Sequence, residues 1–241
     1  MSDVQRSLTV NSRLGSVWTV VVAGGSGRRF GSMKQFESLG DKRVLDHCVD
    51  MALVCSAGVV LVVPSSDLQD EVDKHAVGGA RSEHRVAVCA GGPTRTASVR
   101  RGLALVPGDA GIILVHDAAR PCVSVSVLRE LIDRALSSDT GTVLAQASTD
   151  TVKQVENNGL VTATLDRRRI WRAQTPQMFR LSELEHALSS ALDSGVSVTD
   201  ESMAMERLGY PVSVLEGPST NIKVTLPADL EFAEIILRRM N

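Results

Sequence analysis

The chain has 241 residues, of which 43% are hydrophobic and 22% charged, and its formal net charge is −2. A chain of this size and composition can bury a full α/β core. The small net charge argues against a global attraction to nucleic acid or to an anionic membrane, and no apolar run is long enough to span a bilayer. The four cysteines form no C-x-x-C pair, which indicates neither a zinc site nor a disulfide framework and favours a cytoplasmic protein.

Residues 1–15 lack the apolar centre of a signal peptide, and we expect a flexible tail before a single domain over residues 16–241. Strand-like apolar runs follow at Val17–Ala23, Val59–Val63, Arg85–Ala90, Ile112–His116 and Thr142–Ala147. Helical spacing of apolar residues follows some of these runs, and a last helical stripe ends at Met240. Continuous apolar runs are typical of parallel strands buried on both faces. The alternation predicts an α/β fold with a mostly parallel sheet and flanking helices.

One segment departs from this rhythm. Residues Asp150–Asp166 alternate between polar and apolar side chains around Asn158 and Gly159, which predicts a β-hairpin. A hairpin with so little apolar bulk is marginal alone. It either packs against another subunit or remains a simple exposed hairpin.

The first strand leads into a loop that consists mainly of glycines, Ala23-Gly24-Gly25-Ser26-Gly27, with Arg28, Arg29 and Lys34 after it. Glycines let backbone N–H groups approach phosphate oxygens, and the cations add charge for a polyanion. The loop matches neither a Walker A motif nor the dinucleotide fingerprint, which requires glycine where Phe30 stands. It predicts a different kind of phosphate-binding loop, with a plain packing turn as the alternative.

Two further strand ends carry polar motifs. Gly91-Gly92 opens a helical segment that contains Ser98, and His116-Asp117 ends the fourth strand. Ligands bind at the carboxyl ends of strands in such sheets, so these motifs should share one rim with the glycine loop. Asp117 has the position of a Mg²⁺ ligand, although a capping aspartate is the alternative. We expect His116 to be packed and hydrogen-bonded, outside the site.

A last set of polar residues lies towards the end of the chain. Arg167 belongs to a run of three arginines that is either functional or a solvated charge run. Thr199 is either a ligand contact or the N-cap of a helix over Asp200–Leu208. Lys223 lies in a short β-like run, where a surface lysine gains little.

In this order, the motifs resemble those of the 2-C-methyl-D-erythritol 4-phosphate cytidylyltransferase family of the non-mevalonate isoprenoid pathway. The resemblance covers residues 20 to about 232 and rests on the segments AGGSGRRF, GGPTRTASV, VHDAARP, DTVKQ, TLDRRRIWRAQTPQ, VTDES and NIKVTLPADL. It implies a Rossmann-like nucleotidyltransferase fold, a projecting β-arm at about 149–170 that forms a homodimer, and Mg²⁺ as cofactor. The implied substrates are CTP and methylerythritol phosphate, with pyrophosphate as a product.

The resemblance also implies roles for individual residues. CTP would be bound by Ala23, Gly24, Gly25, Gly27, Arg28, Gly92, Ser98 and Ala118, and Mg²⁺ by Asp117. The acceptor would be lined by Arg120, Thr151, Thr175 and Thr199, and the catalytic cations would be Arg29, Lys34, Arg167 and Lys223. The chain departs from the family at Val22-Ala23-Gly24-Gly25, where Pro-Ala-Ala-Gly is usual, and at Pro93, where an acidic residue is frequent.

The implied reaction suits a site that is rich in cations and has no nucleophilic side chain. A phosphate monoester is mostly dianionic at neutral pH, so it attacks the α-phosphorus of CTP without a general base. Positioning and charge stabilisation are the main requirements of such a transfer. The alternatives are a cytidylyltransferase that takes ribitol 5-phosphate and a non-catalytic nucleotide-binding protein, while Phe30 argues against a dehydrogenase.

Overall fold

The structure is a computed structural model that describes residues 16–25, 30–76 and 85–240. The predicted tail over residues 1–15 lies outside the described residues, and so do Gly27, Arg28 and Arg29 of the first glycine loop. Along the described part of the chain, no helix is both long enough and apolar enough to cross a membrane.

The strands, in chain order, are β1 Ser16–Val22, β2 Ser38–Leu39, β3 Lys42–Arg43, β4 Gly58–Val63, β5 Arg85–Ala90, β6 Ala110–Asp117, β7 Gly141–Ala147, β8 Val152–Val155, β9 Val161–Leu165, β10 Trp171–Arg180 and β11 Val212–Glu216. The main sheet has the order β11-β7-β10-β6-β1-β4-β5. Its neighbours are parallel except at β10, which is antiparallel to both β6 and β7. The prediction of a mostly parallel sheet is confirmed, including all five predicted strands. The sequence did not predict β10 or β11.

The helices are α1 Val44–Cys55, α2 Leu68–Ala76, α3 Arg95–Leu103, α4 Val125–Leu136, α5 Leu181–Asp193, α6 Glu201–Arg207 and α7 Ala228–Met240. Short 3₁₀ turns cover Lys34–Phe36, Ser65–Asp67 and Arg167–Arg169. The strand β1 explains how the layers form, because Val20 packs in one core cluster with α3 and α5, whereas Val21 packs in another with α1. Helices therefore cover both faces of the sheet, and every residue of β4 is buried.

The predicted hairpin is confirmed. Within residues 16–25, 30–76 and 85–240, the strands β8 and β9 pair only with each other, in antiparallel register. Gly159 at the turn has φ +83°, the left-handed backbone that glycine adopts without strain. Val155 and Leu160 are more than half exposed on this arm.

The structure excludes one of the two alternatives for Thr199 and contradicts the β-like run predicted at Lys223. Asp200, not Thr199, caps α6, because the Oδ1 atom of Asp200 accepts a hydrogen bond of 3.0 Å from the Met203 N–H. Lys223 does not lie in a strand. Its segment is attached to the domain through the Val224 N–H, which donates to the carbonyl oxygen of Ala119 over 2.8 Å.

Candidate active site

A cavity of about 610 Å³ opens where β1, β5 and β6 end. The structure brings to its wall many of the predicted site residues, namely Ala23, Gly24, Gly25, Lys34, Gly92, Ser98, Asp117 and Lys223. The wall also contains Phe30, Gln35 and Arg95. The cavity therefore lies at the carboxyl end of the parallel strands, the expected position for a ligand in this class of fold.

Backbone hydrogen bonds continue the sheet beyond the last strand residues and so bring the loops together. The Ala23 N–H donates to Val62 O over 2.7 Å, and the Gly91 N–H donates to Val63 O over 2.7 Å. A Cβ atom on Gly24 would lie 3.9 Å from the Cα atom of Gly91. The two glycine turns are therefore in near contact, and the absence of side chains keeps the cavity open between them.

The second glycine turn is fixed by its own helix. The Ser98 hydroxyl accepts a hydrogen bond from the Gly92 N–H over 3.0 Å and donates to Thr94 O over 2.9 Å. A Cβ atom on Gly92 would lie 2.5 Å from the Cβ atom of Ala97, so only glycine fits at this position. Thr94 caps α3 by accepting from the Ala97 N–H over 3.1 Å.

A buried carboxylate between two cations dominates the charge of the site. Asp117 is 8% exposed, and its Oδ2 atom accepts from Lys223 Nζ over 2.6 Å while its Oδ1 atom accepts from Arg95 Nε over 3.1 Å. Burial alone would raise the pKa of Asp117, but Arg95 and Lys223 hold this pKa well below its usual range. Asp117 is therefore ionised at every physiological pH.

The ionic network continues from Arg95 to α6. Arg95 Nη1 donates to Glu201 Oε1 over 2.6 Å, and Glu201 is 1% exposed in the first turn of α6. Burial raises the pKa of Glu201 despite the opposing effect of Arg95. Lys223, Asp117, Arg95 and Glu201 thus form a chain of alternating charge that joins the C-terminal segment, β6, α3 and α6.

His116 and Thr175 form a chain of hydrogen bonds that ends at the backbone N–H of Asp117. His116 Nε2 lies 3.0 Å from Arg120 O, and Nδ1 lies 3.1 Å from Thr175 Oγ1. Since a carbonyl oxygen only accepts, Nε2 carries the proton and Nδ1 accepts from the Thr175 hydroxyl. That hydroxyl in turn accepts from the Asp117 N–H over 3.0 Å. Burial lowers the pKa of His116 to about 4, so this histidine is a neutral, packed group.

The other predicted residues that the structure describes do not line this cavity. Ala118 is buried, and Arg120 donates from Nη1 to Asn221 O over 2.8 Å. Thr151 and Thr199 are exposed. Arg167 lies at the base of the β8–β9 arm, where Nη1 donates to Thr149 O over 2.7 Å.

Sequence reasoning assigned no role to Arg95, Gln35 or Glu201. One signal was available for Arg95, because a cation in the first turn of a helix opposes the helix dipole. Its place in α3 requires the carboxylates of Asp117 and Glu201. Glu201 gave no such signal, since an acidic residue is common in a first helical turn.

The family model described as 2-C-methyl-D-erythritol 4-phosphate cytidylyltransferase matches residues 17–239. The chain belongs to this family. The enzyme of that name from Stenotrophomonas maltophilia is 40% identical over 93% of this chain and 97% of its own length. The one from Acinetobacter baylyi is 37% identical over 92% of this chain and 93% of its own length.

Solved structures of the family agree with the fold. The 4-diphosphocytidyl-2C-methyl-D-erythritol synthase of Anaerococcus prevotii aligns with a TM-score of 0.79 at 27% identity, over 92% of this chain and 98% of that chain. The 2-C-methyl-D-erythritol 4-phosphate cytidylyltransferase of Francisella tularensis aligns with a TM-score of 0.75 at 32% identity, over 91% of this chain and 99% of that chain. The sheet with flanking helices is therefore the Rossmann-like nucleotidyltransferase fold of this family.

The neutral state of His116 predicts a pH dependence of stability. Its pKa is about 4 in the folded protein, below the 6.5 of an exposed histidine, so the unfolded chain binds the proton more readily. The contribution is complete above pH 6.5 and is lost as the pH falls towards 4, by up to about 3 kcal/mol. We expect the stability difference between wild type and His116→Gln, measured by urea unfolding, to shrink over this range.

A difference between wild type and His116→Gln that stays constant from about pH 7 to about pH 4 would contradict a buried neutral His116.

Proposed function

We propose that this chain transfers CMP from CTP to 2-C-methyl-D-erythritol 4-phosphate, with release of pyrophosphate. The observation that carries the proposal is the cavity at the strand ends, in which two glycine turns face the Lys223–Asp117–Arg95 cluster. Membership of the cytidylyltransferase family, which covers residues 17–239, also supports the proposal. We expect the enzyme to act in the cytoplasm, as part of isoprenoid precursor synthesis.

The two glycine turns suit the nucleotide. Gly24, Gly25 and Gly92 offer backbone groups without side-chain obstruction, and Ser98 fixes the second turn. Backbone N–H and C=O groups can read the edge of a pyrimidine base. Lys34 lines the same wall and supplies a cation for the phosphates. In this proposal Ala23, Gly27, Arg28 and Ala118 also contact the nucleotide, and Arg29 assists Lys34.

The acceptor would approach from the side of Lys223. The salt bridge to Asp117 restricts the Lys223 ammonium group to the cavity wall. There it can direct a phosphate dianion, whose oxygen attacks the α-phosphorus of CTP while the bond from that phosphorus to the bridging oxygen breaks. The electron pair leaves with pyrophosphate, and no proton has to be removed from the nucleophile. Arg120, Thr151, Thr175 and Thr199 complete the acceptor side in this proposal.

Asp117 fits the chemistry of a Mg²⁺ ligand. Among the residues that the structure describes, no cluster of three or more His, Cys, Asp or Glu side chains could hold a metal. Mg²⁺ is ordinarily bound by one or two carboxylates with substrate phosphates and water, and the ionised Asp117 keeps lone pairs beyond its two salt bridges. We propose that Asp117 holds Mg²⁺ together with the phosphates of CTP. The bound ion would neutralise charge on the phosphoryl oxygens.

We also propose a homodimer formed through the β8–β9 arm. The arm pairs with no other strand of its own chain among the described residues, and it exposes Val155, Leu160 and Val161 by more than half. Arg167 at its base is fixed by the Thr149 carbonyl and lines no described part of the cavity of its own chain. A two-fold partner would place Arg167 in the other subunit's site, where it could bind the acceptor phosphate.

A pyrophosphate-release assay tests the reaction. Purified protein is supplied with Mg²⁺, one nucleoside triphosphate and one polyol phosphate, and we expect turnover with CTP and methylerythritol phosphate. In this proposal backbone groups read the edge of a pyrimidine, so ATP and GTP should be poor substrates. Comparable turnover with ATP would contradict the assignment of the nucleotide, and preference for ribitol 5-phosphate would contradict that of the acceptor.

The substitution Asp117→Asn tests the metal role. It keeps the size of the side chain and removes its charge, so activity should fall by about 10²–10³-fold, and more Mg²⁺ should be needed for half-maximal rate. Asp109→Asn removes the same charge at an exposed position and serves as the control. If Asp117→Asn lowers the rate without changing the Mg²⁺ dependence, Asp117 only holds Arg95 and Lys223.

Complementation tests whether subunits share a site. Lys34→Ala and Arg167→Ala should each be inactive, but a mixed dimer would contain one site with both residues intact. Random mixing should restore about a quarter of wild-type activity. Arg168→Ala is the control for the arginine run, because Arg168 pairs with Asp166 at the surface, and it should remain active. No recovery after verified subunit exchange would show that Arg167 serves its own chain.

A further inference from the structure

Gln35 has a buried side-chain amide that contacts the first glycine loop. It is 3% exposed, and its Nε2 atom donates to Ala23 O over 2.8 Å and to Gly25 O over 3.1 Å. One NH₂ group thus uses both of its hydrogens on two carbonyls of the same loop. These bonds fix the orientation of two peptide groups in a glycine segment that has little conformational preference of its own.

The turn that carries Gln35 is itself anchored. The side chain of Arg43 lies over the ring of Phe36, 5.5 Å from its centroid. Arg43 is also held by salt bridges to Asp46 and Glu71. Gln35 therefore connects the glycine loop to a turn with a rigid support.

The same turn contains Lys34, which lines the cavity. The carboxamide of Gln35 consequently fixes the distance between the glycine backbone and the Lys34 backbone. Both elements face the end of the cavity that the proposed function gives to the nucleotide. The hydrogen bonds of the Gln35 amide go to Ala23 and Gly25, residues that the proposed function assigns to the nucleotide rather than to the acceptor.

We propose that Gln35 is a positioning residue that preorganises the first glycine loop for the phosphates of the nucleotide. This inference rests on the proposed function for the identity of the nucleotide, CTP. Gln35 acts on nucleotide binding through the loop backbone, and it has no direct role towards the acceptor. Its removal should raise KM for CTP and leave KM for the acceptor nearly unchanged.

The first variant is Gln35→Met, which keeps the length of the side chain and removes both donors. We expect KM for CTP to rise by about 10- to 100-fold, because two ordinary hydrogen bonds are lost. The acceptor KM should change by less than about 3-fold. Binding of CTP without acceptor, measured by calorimetry, should weaken by the same factor as KM rises.

Thr19→Val is the control. Thr19 is 2% exposed, and its hydroxyl lies 2.6 Å from the Ser56 hydroxyl. The variant loses the hydrogen bond of a buried β1 residue that does not line the cavity. Both variants should melt at lower temperature than wild type, and only Gln35→Met should bind CTP more weakly.

Gln35→Glu provides a second test within one folded protein. When protonated, the new carboxyl group can donate one hydrogen bond to a loop carbonyl, and when ionised it repels both carbonyl oxygens. Burial beside those oxygens should raise the pKa of this group. The deficit in CTP affinity relative to wild type at the same pH should therefore be larger at about pH 8 than at about pH 6.

The results separate this inference from the proposed function. If wild type releases no pyrophosphate from CTP with any polyol phosphate, the proposed function fails, and calorimetry with CTP still measures the effect of Gln35. If wild type is active and Gln35→Met binds CTP as tightly as wild type, the positioning role is overturned. An equal rise in both KM values, or a pH-independent deficit in Gln35→Glu, would also overturn it.

Discussion

Asp117 carries a negative charge at the end of β6, where water has little access, and it is stable there only because Arg95 and Lys223 contact its two oxygens. A buried charge without partners would be strongly unfavourable. Asp117 in turn holds the side chains of Arg95 and Lys223 at the cavity wall. The backbone of Asp117 is fixed in turn by Thr175.

This dependence links parts of the chain that are distant in sequence. Arg95 belongs to α3, Glu201 to α6 and Lys223 to the segment before α7. The proposed nucleotide side and acceptor side therefore share a single ionic network.

The backbone near the cavity is held differently from the charges. Gly92 is fixed by Ser98 within its own helix, whereas Ala23 and Gly25 are fixed by the amide of Gln35. A glycine turn lets the backbone come close to a ligand, but glycine loses more conformational freedom on folding than any other residue. In both turns polar side chains restrict that freedom, and Arg101 adds a hydrogen bond of 2.6 Å to the carbonyl oxygen of Gly91.

The sequence by itself determined the parallel sheet, because apolar runs such as β4 are buried on both faces and have no other stable place in a protein of this size. It also determined the Asn-Gly hairpin, whose signal is local. The positions of Asp117 and the glycines followed from their place at strand ends. Each of these conclusions requires only residues close together in the chain.

Only the tertiary structure decided what depends on distant partners. The sequence did not predict the antiparallel strand β10. Its pairing with β6 and β7 depends on the path that the chain takes between these strands. The capping role of Asp200 in place of Thr199 was decided by backbone geometry. Arg95 gained its importance from Asp117 and Glu201, which lie 22 and 106 residues away along the chain. The position of Arg95 in a first helical turn indicates that it needs an acidic partner, but packing in space decides which carboxylates those are.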